Sequence, residues 1–328
     1  MKTMKFLILG LLASVVVMQP FSGRSQSGQP AAPVAEAVTP QIQALAQGLQ
    51  NDPAKIFNYV HDHIRYVHYF GSKKGAQLTL LEKSGNDFDQ SALLTALLNA
   101  AGYNNTGYEF QWIGPAYNDF SGADMDLQHW FQLTLVNTNW TSTMQYLDGL
   151  FGSRGFPETG NFTGYTNLYL FQHVWVSLTT GGNTYWLDPA FKVSEPVAGI
   201  NLANAMGFSS NSLMTAASGT DAGNYVTNLN EASIRSTLTG YTTNLLNYLQ
   251  NNAPNASVQQ IMGGWQIVPS SYTNLTQIDA NFPFNDDLYP IDPEIFWTYE
   301  PTNMMTSLKI TFAGTNYQMF MPQLQGQR

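Results

Sequence analysis

Three short stretches carry the residue types that acid–base chemistry uses. Gly85-Asn86-Asp87-Phe88-Asp89-Gln90 places two carboxylates directly ahead of an Ala- and Leu-rich run that stops at Gly102. Gln172-His173-Val174-Trp175-Val176 sets an imidazole in an apolar segment, and Tyr185-Trp186-Leu187-Asp188-Pro189 adds a third carboxylate before a proline. A carboxylate beside an imidazole can orient the ring, hold a proton on it, or share a divalent ion with it. Each stretch also has a plain structural use. Asp87 with Gln90 three residues on reads as a capping box, His173 as a core histidine satisfied by a backbone carbonyl, and Asp188 as a turn residue ahead of Pro189.

The elements that would position these residues are legible nearby. With Asp87 as N-cap, Asp89 in the first turn and Gly102 as a left-handed stop, the Ala/Leu run is a helix with both ends marked. It has no polar stripe, so it is expected to be enclosed on most sides. Phe171 to Leu178 and Thr184 to Leu187, joined at Gly181-Gly182-Asn183, read as an antiparallel hairpin that brings His173 and Asp188 to neighbouring strands. Tyr108, Phe110 and Trp112 alternate with polar or small residues, as a strand with one buried face does. Upstream, Asp52-Pro53 opens a helix expected to run to about Tyr66 with Ile56, Val60 and Ile64 on one face. His61 and His63 fall within it, two apart and therefore pointing away from each other, which argues against a shared metal site.

In their order and spacing the three blocks resemble the transglutaminase-like superfamily, over roughly residues 53 to 193. The resemblance implies an α+β fold with a transglutaminase-like, papain-like core, in which a central buried helix packs on an antiparallel sheet, followed here by a C-terminal α/β extension. It also implies a Cys nucleophile opening the helix, a His shuttling its proton and an Asp orienting the ring, which fall on Asp87, His173 and Asp188. The chain has no cysteine. A carboxylate at position 87 is a weak nucleophile toward amides, and by pairing with His173 it would favour the imidazolium and remove the free base. The resemblance is then to the Cys-lacking transglutaminase-like domains of large secreted bacterial proteins with YD (Rhs-type) repeats. It implies a catalytically degenerate domain that binds a peptide or glycan at the cell envelope, or serves as a module of a surface assembly, with no cofactor and no metal. The alternative is a hydrolase or acyltransferase of altered chemistry built on Asp87, His173 and Asp188, or one in which those carboxylates and the imidazole hold a divalent ion.

Composition bounds these readings. The 328 residues suffice for one large or two modest domains, and 44% hydrophobic with 13% aromatic residues argues against disorder. Only 11% are Asp, Glu, Lys or Arg, a neutral polar balance common in secreted and cell-envelope proteins. The net charge of −9 speaks against a nucleic-acid partner. Lys2 and Lys5 before the apolar run Phe6 to Met18 read as a signal peptide over residues 1–25, leaving no membrane span after cleavage and a secreted or periplasmic product. A linker follows over 26–40, then the transglutaminase-like domain over 41–193. Residues 194–230, rich in Asn, Ser, Ala and Thr, read as a connection to an extension over 231–328. That extension has a helix carrying Ile234, Leu238, Tyr241, Leu245 and Leu249, and strands at Trp265 to Val268, Thr306 to Phe312 and Tyr317 to Met321. Residues 114–170, with a helix over Thr143 to Leu150, read as an insertion shaping the mouth of a cleft.

Overall fold

Short-range caps set most of the helices around the candidate site. The computed structural model describes residues 35–113, 127–133, 140–156, 171–284, 295–312 and 314–321. The expected signal peptide over 1–25, residues 26–34 of the expected linker and much of the 114–170 insertion lie outside the described residues. Helix α1 (Pro40–Gly48) begins after Thr39, whose hydroxyl accepts from the Ile42 amide. Helix α2 (Pro53–His63) begins after Asp52, whose carboxylate accepts from the Ala54 and Lys55 amides. Proline sits at the start of both, where its missing N–H costs nothing. Strand β1 (Arg65–Tyr66), helix α3 (Gly75–Glu82) and strand β2 (Ser84–Gly85) follow, with β1 and β2 parallel.

Helix α4 (Asp87–Ala100) is the centre of the fold, and every residue from Asp87 to Leu98 is buried. It ends as the sequence suggests, with Gly102 at φ +96°. Its beginning differs from the expectation. The N-cap is Asn86, whose side-chain oxygen accepts from the Asp89 amide at 3.0 Å, so Asp87 is the first helical residue and makes no capping box. Gln90 instead donates to the Gly85 carbonyl at 2.8 Å. Because Asn86 performs the capping, the carboxylates of Asp87 and Asp89 are released for longer-range use.

Strand β3 (Thr106–Ile113) is followed by α5 (Leu127–Phe131), α6 (Trp140–Ser153), and the hairpin of β4 (Phe171–Thr180) and β5 (Asn183–Leu187). The remainder runs β6 (Ser194–Val197), α7 (Leu202–Met206), α8 (Ser210–Ala217), β7 (Thr220–Asp221), β8 (Val226–Thr227), α9 (Glu231–Asn252), α10 (Val258–Met262), β9 (Gly264–Ile267), α11 (Leu275–Ala280), β10 (Ile295–Trp297), β11 (Ser307–Phe312) and β12 (Thr315–Phe320). The main sheet has the order β10-β3-β4-β5 with every pair antiparallel. Smaller antiparallel pairs are β6 with β9, β7 with β8 and β11 with β12. The described residues belong to one compact unit spanning 33–328. The chain is therefore α+β, with several antiparallel sheets packed among helices.

The main sheet is covered on both faces. Val176 and Leu178 of β4 pack with leucines of α4 and with Ile56 and Val60 of α2, while Phe171 and Trp175 enter a second cluster with Trp130, Phe131, Phe151 and Phe284. Alternate residues of a strand point to opposite faces, so His173, between Phe171 and Trp175, belongs to the aromatic side. The outer strand β10 was not foreseen from sequence. It fits because Gly107 leaves room for the Phe296 ring, which a Cβ there would meet at 2.2 Å. Among the described residues, no helix is long and apolar enough to cross a membrane.

Candidate functional site

The three residues singled out from sequence meet in one hydrogen-bonded row. His173 Nδ1 lies 3.0 Å from Asp87 Oδ2, and His173 Nε2 lies 2.8 Å from Asp188 Oδ2. The first turn of α4 brings Asp87 to the start of β4, where its Oδ2 also accepts the Val174 amide at 3.1 Å. Asp188 directly follows β5, and its second oxygen accepts the Ala190 and Phe191 amides at 2.9 and 3.1 Å, closing the turn after Pro189. Asp188 is thus both a turn residue and an imidazole partner; the two readings are compatible. His173 is 0% exposed and Asp87 2%.

Burial alone would lower the His173 pKa, but the charge and hydrogen bond of Asp188 and those of Asp87 outweigh it and raise it to about 9. The ring is therefore an imidazolium at neutral pH, with both N–H groups donated to carboxylates. Aromatic rings enclose it: Trp130 stands edge-on with centroids 5.2 Å apart and Phe284 lies 5.3 Å away. NMR of the ring nitrogens is expected to show one of the five histidines doubly protonated at pH 7.5 and titrating near 9. If every imidazole were neutral by pH 7.5, the charged row would be wrong.

Two further buried polar groups tie down the elements beside the row. Asp89 Oδ1 accepts the amides of Lys73, Lys74 and Gly75 at 3.1, 2.9 and 2.8 Å, together with the Ser72 hydroxyl at 3.2 Å, and Oδ2 accepts the Tyr69 hydroxyl. It thereby caps α3 from a distance. Burial raises the Asp89 carboxyl above its usual range, against the pull of these donors. Lys192, 0% exposed, donates to the Ile64 carbonyl at 2.6 Å, the Gln90 side chain at 2.7 Å and the Val60 carbonyl at 3.4 Å. It closes the C-terminal end of α2, where the macrodipole favours a cation. Burial lowers its pKa to about 7, with Asp188 and Asp62 pulling the other way.

Several contributors had no sequence signal. Trp130 and Phe284 lie in segments without clear periodicity, and Lys192 has the composition of a surface residue. The insertion does not open a cleft at the row in its described parts: Trp130, 1% exposed, sits on His173 and donates to the Ala190 carbonyl at 2.8 Å. His61 and His63 go to different places, as their spacing implies. His61 pairs with Asp62 at 2.7 Å and stacks on Phe57, while His63 stacks on Tyr59. Among the described residues no group of three or more His, Asp or Glu is arranged to hold a metal.

These features define an α+β protein with a sealed carboxylate–imidazolium–carboxylate row that runs from the start of its central helix, through β4, to the residue after β5. The chain matches no family model and no curated protein.

Proposed function

We propose that the chain is a catalytically degenerate transglutaminase-like protein, secreted or held at the cell envelope, whose inherited row braces the fold while the protein works by binding a peptide or glycan or as a module of a surface assembly. The helix start on one ring nitrogen and the aspartate after the next strand on the other is the arrangement the family resemblance implies, with Asp87 in the place of the thiol. The observation that carries the non-catalytic reading is the state of His173. Both its nitrogens are engaged by carboxylates and it is fully buried, so it has neither a lone pair nor a substrate to act on. One observation favours the alternative of altered amide chemistry: Asp87 Oδ1 is buried with no hydrogen-bond partner among the described residues.

Purified protein is expected to show no amide hydrolysis or acyl transfer above background. Turnover that disappears in His173→Ala would establish the alternative. The ancestry of the row has a separate test. Asp87→Cys is expected to yield a buried thiol whose thiolate, followed by its ultraviolet absorbance, forms at a pH about one unit or more lower than in the same variant carrying His173→Ala, because a neighbouring imidazolium stabilises thiolate. Equal titration midpoints in the two backgrounds would remove the kinship argument.

A further inference from the structure

A cavity of about 810 Å³ opens well away from the buried row. One wall comes from the end of α2 and from β1 and β2, the other from α10 and β9, and neither Asp87, His173 nor Asp188 lines it. Its size lies in the range of ~300–1,000 Å³ typical of small-molecule sites. Its chemistry departs from the usual apolar lining. Four glutamines border it, including Gln259 and Gln266, with Trp265 as the one large aromatic surface. Arg65 and Lys83 balance Asp62 and Glu82, so the lining favours neither sign of charge.

The side chains of Arg65, Gln259 and Gln266 make no hydrogen bond or ion pair among the described residues, and each is exposed. Their donors and acceptors are open to a ligand. Trp265 is half-buried and held in place, with the His129 ring edge-on to it at 5.8 Å and β6 paired along its backbone. A ligand fitting this lining presents donors and acceptors together over most of its surface, carries no net charge and offers one flat apolar face to the indole. A saccharide ring does all three. Its hydroxyls both donate and accept, and the C–H bonds on its apolar face meet the negative face of an aromatic ring. A bound peptide would instead want apolar pockets for alternate side chains, and beyond Trp265 the lining offers only Ile267 and Pro269 as apolar groups.

We infer that this cleft binds a neutral oligosaccharide, with Trp265 as the stacking platform and Gln259, Gln266 and Arg65 as the hydroxyl-binding groups. The inference rests on the reading of the chain as a binding protein and supplies its ligand class. Calorimetric titration of the full chain with maltotriose, cellotriose, mannotriose and chitotriose, and with a tryptic casein digest as peptide probe, tests it. At least one trisaccharide is expected to bind. Trp265→Ala is expected to weaken that binding at least tenfold, and the surface double variant Gln259→Ala/Gln266→Ala at least threefold, with unfolding midpoints of the double variant unchanged. No trisaccharide binding, binding unaffected by both changes, or binding of the peptide probe alone overturns the saccharide site. Amide turnover measured on the same samples reports separately: turnover with sugar binding intact removes the non-catalytic reading and leaves the saccharide site standing.

Discussion

His173→Ala is expected to cost the fold about 3–5 kcal/mol, the range for removing one partner from a buried ion pair. The wild-type row holds one cation between two carboxylates, with side-chain exposures of 0% and 2% for His173 and Asp87 and 0% for Asp188. Without the ring, two carboxylates face each other in a water-poor space with only backbone amides to offset them. Asp87→Asn is expected to cost about 1 kcal/mol by comparison, because the amide oxygen can still accept both the His173 and Val174 hydrogen bonds. Urea unfolding of the three proteins measures both. A His173→Ala cost below that of Asp87→Asn would show that charge is not what the ring supplies.

The pH dependence has a defined sign. The His173 pKa is raised from 6.5 to about 9 on folding, so its contribution is fully present below pH 6.5 and is lost as pH rises through 9. The gap in stability between wild type and His173→Ala is accordingly expected to narrow across that window. Lys192 slopes the other way in the wild-type curve, since its pKa falls from 10.5 to about 7 and burying its charge becomes less costly above pH 7. Taking the difference between the two proteins cancels that opposing contribution.

Asp89→Ala is expected to be as damaging, at about 4 kcal/mol. The substitution strips the acceptor from three consecutive amides and two hydroxyls at once, and a buried donor left unpaired costs about 1–3 kcal/mol. Water can reach part of the Lys73 and Lys74 backbone, which keeps the total below the sum. Asp89→Asn is expected to fall near half the cost, keeping one acceptor oxygen and turning an N–H₂ toward the donors. Hydrogen exchange adds a local readout: the Lys74 and Gly75 amides are expected to exchange faster in Asp89→Ala than the loss of global stability alone explains. Unchanged protection at those two amides would mean that something other than Asp89 holds the loop.

What the sequence revealed here was whatever is decided within a few residues. Asp52-Pro53, Gly102 and Gly181-Gly182 each fix a turn or a cap by their own conformational limits, and all three stand where the residues imply. The start of α4 was legible to within one residue. Asn86 and Asp87 are both good N-caps, and local propensity does not choose between them. The choice is made by distant partners: His173 and Val174 engage Asp87, and the 72–75 loop engages Asp89, so the neutral Asn86 is left to cap. Helix α3 was missed for the same reason, since it has no cap of its own and only a weak apolar stripe, with Asp89 supplying its missing acceptor from the next helix. The hairpin placed His173 and Asp188 on neighbouring strands, and only the family resemblance implied that Asp87 meets them. Their sealing was not expected, because Trp130 and Phe284 arrive from segments whose composition says nothing about where they dock.

Strand β3 takes its outer neighbour, β10, from near residue 295, long after the rest of the main sheet has been made. On the ribosome the edge of that sheet waits unpaired while residues 188–294, about a third of the chain, are made, exposing N–H and C=O groups beside Tyr108 and Phe110. Another nascent copy offers the same edge, so crowded translation would favour end-to-end assembly of immature chains over slow closure of each one. Keeping that β3 edge covered until β10 has been made is therefore expected to raise the yield of correctly closed chains.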